Sequence, residues 1–250
     1  MTKVHEYQSV LKNLSSWDEY LLLNSGLPGP RGNIELGQAV AEEGNLDLFQ
    51  RYLRYTPDLA PVNSPCEFLA FCGVLGLGRL VAEGDRQFLP VLQQAASDPR
   101  WRTREAVAMG LQRWGDADMP GLIVEMRSWA QGNFLQQRAA AAALCEPRLL
   151  VQHENARAVL RILDSITASI LPVGDRKSEG FLALRKGLGY GWSVAVAAFP
   201  LEGKPLLEKW LTSPDKDIRW IMKENLKKNR LIRIDPDWVG QCLQFMESST

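Results

Sequence analysis

The sequence predicts an all-α protein arranged as a right-handed α-α superhelix, a solenoid of about six stacked helix pairs. Three observations predict it. Apolar residues recur at spacings of three and four along the long segments, while the apolar-polar alternation of strands is missing. The interruptions are short and rich in Pro, Gly, Asp and Ser, which supply turns and caps. Four arginines, Arg104, Arg138, Arg185 and Arg219, follow one another at intervals of 34, 47 and 34 residues, each near the start of the second helix of a pair. That is the period of helix-pair repeats with one longer loop.

In chain order, residues 1–44 read as an N-terminal helical cap, residues 45–233 as repeats and residues 234–250 as a capping helix, all in one continuous domain. The first pair is LDLFQRYLRY with CEFLAFCGVLGLGRLVAEG. Next come FLPVLQQAA with WRTREAVAMGLQRW, and LIVEMRSWA with FLQQRAAAAALC. ARAVLRILDSITASI with FLALRKGLGYGWSVAVAAF and PLLEKWL with DIRWIMKENLKK follow. Breaks are expected at LPGPRGN, TPDLAPVNSP, SDPR, GDADMPG, PVGDRKS, LEGKP, TSPDKD and RIDP. Two and three residues after each arginine stand Ala106 and Val107, Ala140 and Ala141, Gly187 and Leu188, Ile221 and Met222. At seven come Leu111, Cys145, Trp192 and Leu226, so one buried face repeats. A single pair cannot cover that face, and neighbouring pairs must stack. Gly73, Gly76, Gly187 and Gly191 are expected to let helices approach closely, since neither glycine run follows a strand or has the form of a phosphate loop.

The segments SDPRWRTREAVAMGL and SPDKDIRWIMKENL resemble HEAT repeats, in which a turn with Asp and Pro precedes an arginine and a small-residue second helix. The resemblance is to bacterial HEAT-repeat proteins and covers residues 85–230 well and the N-terminal part loosely. It implies an extended concave surface that different proteins use for different partners. More distantly, the chain is similar to the HEAT-like alkylpurine DNA glycosylases, which implies a basic concave surface with tryptophans and an aspartate. That likeness stops at the architecture, and no catalytic residue carries over; Asp98 beside Trp101 and Asp116 beside Trp114 are the nearest counterparts and read as turn or cap residues. The lyases that attach or remove bilin chromophores share only the fold.

Chemistry is sparsely supported. His5 and His153 are the only histidines, too few for a triad or a histidine metal site, and Cys66, Cys72, Cys145 and Cys242 lack C-x-x-C spacing. They read as reduced core thiols, with no cofactor or metal expected. The N-terminus lacks the apolar core of a signal peptide and no apolar run approaches a membrane span, so a cytoplasmic protein without membrane partners is expected. Charge balances at 29 basic and 29 acidic residues, so nucleic-acid binding would need a local patch.

Candidate binding residues are Trp101, Arg102, Lys216, Trp220, Lys223 and Lys227. On a helical wheel Trp220 points away from Ile218, Ile221, Met222 and Leu226 and shares its side with the three lysines and with Glu224. A tryptophan framed by lysines suits a protein hot spot or phosphate contact with base stacking. The matching positions on earlier helices are Trp101, Glu105 and Ala108, then Leu135, Ala139 and Ala142, then Leu182, Lys186 and Gly189, an inner stripe with a small apolar centre. Arg104 is expected to bond the Asp98 carboxylate or carbonyls of the adjacent repeat. The expected function is a non-enzymatic scaffold that binds a protein or peptide on its concave face; the alternative is a DNA-binding protein.

Overall fold

The structure, a computed structural model, describes residues 2–248, which form fifteen α-helices, two 3-10 turns and no strand. The chain divides into two compact units, Met1–Asp118 and Met119–Thr250.

The first unit is built around one apolar helix. Its helices are α1 (Lys3–Lys12), α2 (Asp18–Asn24), α3 (Ile34–Glu43), α4 (Leu46–Leu53), α5 (Glu67–Ala82), α6 (Leu89–Ala95) and α7 (Trp101–Ala117). Helix α5 is apolar almost all round, and such a helix must be covered on every side. Accordingly α2, α3, α4 and α7 all pack on it, α1 packs on α3 and α6 on α7. The glycine run permits this crowding. An added Cβ on Gly78 would lie 2.4 Å from Cα of Gly110 in α7, and one on Gly76 would meet the Phe49 ring at 2.3 Å.

Arginines tie the turns of this unit. Arg100 holds the Asp98 carboxylate through Nε and Nη2 (2.9 and 2.7 Å) and donates to the Tyr55 carbonyl at 2.7 Å. Because Arg100 takes that carboxylate, Arg104 donates instead to the carbonyls of Asp98 and Pro99 at 2.6 and 3.0 Å. The expected contact of Arg104 with the turn is therefore made to backbone oxygen of its own turn.

The second unit comprises α8 (Met119–Trp129), α9 (Phe134–Leu144), α10 (His153–Ala168), α11 (Glu179–Ala198), α12 (Pro200–Leu211), α13 (Lys216–Leu226), α14 (Asn229–Ile234) and α15 (Pro236–Ser248). Helices α9, α11 and α13 pack side by side in that order, α8, α10 and α12 do the same, and each of the first set packs on its predecessor in the chain. Helix starts follow the capping residues. Asn133 and Gln136 close a capping box on α9, Ser178 caps α11 and Asp215 caps α13. Between α10 and α11 the fully buried Trp192 donates its indole N–H to Thr167 Oγ1 at 3.0 Å. Asn225 of α13 reaches α11 by accepting from the Ser193 N–H at 2.7 Å and donating to the Leu188 carbonyl at 2.8 Å.

Two expected breaks are helical. LEGKP lies inside α12, where Pro205 leaves only the carbonyl of the exposed Leu201 without its usual donor, a group that solvent can satisfy. GDADMPG shrinks to Asp118 alone, with Pro120 at the second position of α8, where a missing N–H costs nothing.

Candidate functional site

In the second unit, α13 starts on a charged knot. Asp215 accepts from the N–H groups of Asp217 and Ile218 at 2.9 and 3.1 Å, so its side chain is the N-cap. Arg176, from the loop before α11, clasps Asp215 at 2.6 Å and Asp217 at 2.9 Å. Burial raises the Asp215 carboxyl, but the Arg176 bond and the two backbone donors outweigh it, and its pKa lies below the ordinary value. A depressed folded-state pKa contributes stability above the unfolded value, lost as pH falls through the folded one. Asp215→Ala is expected to lower stability by about 0.5–2 kcal/mol at neutral pH. In urea titrations between pH 7 and pH 3 that difference should shrink as the native carboxyl is protonated.

From this knot a basic and aromatic seam runs along α11 and α13. Arg185 pairs with Asp217 at 3.1 Å and lays its guanidinium 4.0 Å over the Trp220 ring. The edge of the ring meets α11 where Gly189 has no side chain; an added Cβ there would stand 3.1 Å from Cζ3 of Trp220. Trp220 thus lies away from the core of α13, as the wheel predicts, but is half-buried against the neighbouring α11. The wheel registers only the direction away from the core of α13, and α11 occupies that direction.

Lys216, Lys223 and Lys227 remain exposed on α13, and Lys227 is spent on Glu224 at 2.5 Å. Lys186, Lys216 and Lys223 make no ion pair among the described residues. One turn beyond Lys186, Tyr190 accepts from Arg230 of α14, whose guanidinium lies 4.6 Å over its ring, with Lys228 at 6.0 Å. The structure therefore gathers Lys216, Trp220, Lys223 and Lys227 with Arg185, Lys186, Tyr190, Lys228 and Arg230. The last group is missed when α13 is read alone. Its signal is the four-residue spacing of Leu182, Lys186 and Tyr190 together with the KKNR run.

Trp101 and Arg102 lie in the first unit. Trp101 is 43% exposed at an apolar pocket of about 250 Å³ that it shares with Ile34, Phe68, Phe71 and Met109. Arg102 differs from its expected role as a contact residue. Its side chain is 6% exposed and is used internally, donating to Glu67 Oε2 at 3.1 Å and to the Gly29 carbonyl at 2.6 Å, with its guanidinium 4.4 Å from the Trp101 ring. The inner stripe is also less open than expected, because Ala108, Ala139 and Gly189 are buried under neighbouring helices.

Burial pushes the Cys145 thiol up to about 12 and the Cys242 thiol up to about 11, away from the reactive thiolate. Among the described residues no three His, Cys, Asp or Glu side chains group to hold a metal ion, and no helix is long and apolar enough to cross a membrane. The chain matches no protein-family model and no curated protein sequence.

Proposed function

We propose that the chain is a non-enzymatic scaffold of HEAT-like repeats, coiled as a right-handed superhelix, whose α11–α13–α14 face binds an acidic protein segment in the cytoplasm. Two layers of helices packed in chain order within the second unit support the repeat reading. Four free cysteines fit a reducing compartment. The observation that carries the binding reading is the set of amines of Lys186, Lys216 and Lys223, without an ion pair among the described residues, on the same helices as Trp220 and Tyr190.

The rings favour a protein segment over DNA. Base stacking competes with the cations already on these rings, since Arg185 lies over Trp220 and Arg230 over Tyr190. Glu224, set among the lysines, opposes a phosphate backbone more than it opposes a peptide that carries donors as well as carboxylates. What the seam offers is charge and N–H donors, which suit spaced carboxylates.

The test is fluorescence anisotropy with a labelled acidic peptide and, separately, a labelled DNA duplex, each at several salt concentrations. The peptide is expected to bind in a salt-sensitive manner and to be lost in the Lys186→Glu, Lys216→Glu, Lys223→Glu triple variant. Duplex binding stronger than peptide binding, abolished by the same variant, would replace this reading with the DNA-binding one.

A further inference from the structure

Next to the seam lies a cavity of about 500 Å³ that the charge pattern alone does not explain. It is lined by Pro147, Leu150 and Val151, by Val194, Ala197 and Ala198 of α11, and by Arg230. Leu150 and Val194 are buried at its base, whereas Val151 is 79% exposed at its rim. The alanines of α11 leave the space open, and an apolar cavity of about 150 Å³ already accommodates a benzene ring. This one has room for a branched side chain and part of its backbone.

Arg230 gives the cavity its polarity. Its guanidinium donates to the Tyr190 hydroxyl and lies over that ring, and no carboxylate among the described residues pairs with it. An arginine offers five donors in a planar fork, and one of them is used by Tyr190. The cavity is also continuous with the seam: Val194 follows Tyr190 by one helical turn, about 6 Å along α11, and Lys186 precedes it by one.

We infer that this cavity anchors one aliphatic side chain of the acidic segment, with the neighbouring carboxylate of the segment bound by Arg230. The inference rests on the acidic-partner reading above and adds the specificity that charge alone does not provide. An internal segment fits better than a chain terminus, because cations spread over α11, α13 and α14 call for several carboxylates and a terminus supplies one.

The experiment uses the full chain and acetylated, amidated hexapeptides with a fluorescent label. Glu-Glu-Asp-Leu-Glu-Glu is compared with the same peptide carrying glycine for leucine, and with one carrying glutamine for the glutamate after leucine. The leucine peptide is expected to bind about tenfold more tightly than the glycine one, as burial of roughly half a leucine side chain would give. That preference should disappear in Val151→Glu, a change at an exposed position that leaves the far-ultraviolet circular dichroism unaltered. The effect of removing the carboxylate should likewise vanish in Arg230→Gln, as a double-mutant cycle requires of two groups in contact. Equal binding of leucine and glycine peptides would overturn the anchor and leave the acidic face standing, and an unchanged carboxylate effect in Arg230→Gln would overturn the role of Arg230. Absence of binding by any of these peptides would overturn both readings together.

Discussion

Glu67→Ala is expected to lower the stability of the first unit by about 3–5 kcal/mol, because it strands a buried cation. Glu67 is 0% exposed, and its Oε2 accepts both from Arg102 and from the backbone N–H of Asn63 at 2.6 Å. Arg102 in turn holds the Gly29 carbonyl, so one pair pins the 56–65 and 27–33 loops onto the start of α5 and α7. Truncating the acid removes the anchor of the Asn63 N–H and leaves a guanidinium, itself the holder of the Gly29 carbonyl, that water reaches poorly. The pair is nevertheless incompletely satisfied, since Glu67 Oε1 and Arg102 Nε have no hydrogen-bond partner among the described residues. The double variant Glu67→Met, Arg102→Met should therefore recover most of the loss, as apolar replacements of buried ion pairs commonly do. Urea unfolding of the two variants checks this. A single-variant loss under about 1 kcal/mol, the range of an exposed pair, would show that the loops are held by something else.

Trp192→Ala is the second large effect, an expected loss of about 3–5 kcal/mol from transfer and cavity terms together. The side chain is wholly buried between α10 and α11, and its removal also leaves the Thr167 hydroxyl, itself buried, without its indole donor. Trp192→Phe separates the contributions. It keeps most of the apolar volume and should cost about 1–3 kcal/mol, the range for an unmet buried polar group. Equal losses for the two variants would mean that the hydrogen bond, and not the filled volume, accounts for the whole effect.

Helices and their starts were legible because their causes are local. Asn133, Ser178 and Asp215 cap helices through N–H groups two or three residues away, and the apolar period reports a face whatever lies opposite it. Prolines misled where context relieved them, as at Pro205, whose deprived carbonyl belongs to an exposed residue, and at Pro120, placed in the first turn. The candidate site was only half legible. Lys216, Lys223 and Lys227 share one side of α13 by spacing alone, but the surroundings of Trp220 depend on Arg185 and Gly189, more than thirty residues earlier in the chain. Likewise Arg102 looks like a free cation until Glu67 and Gly29 are brought beneath it.

By itself, the sequence determined an all-helical chain and most of its helix boundaries, since these follow from interactions within a few residues. Only the tertiary structure decided which cations are spent and which remain available. Whether Arg102 or Lys223 meets a carboxylate depends on groups that folding brings from distant parts of the chain, and burial sets the strength of each such pair.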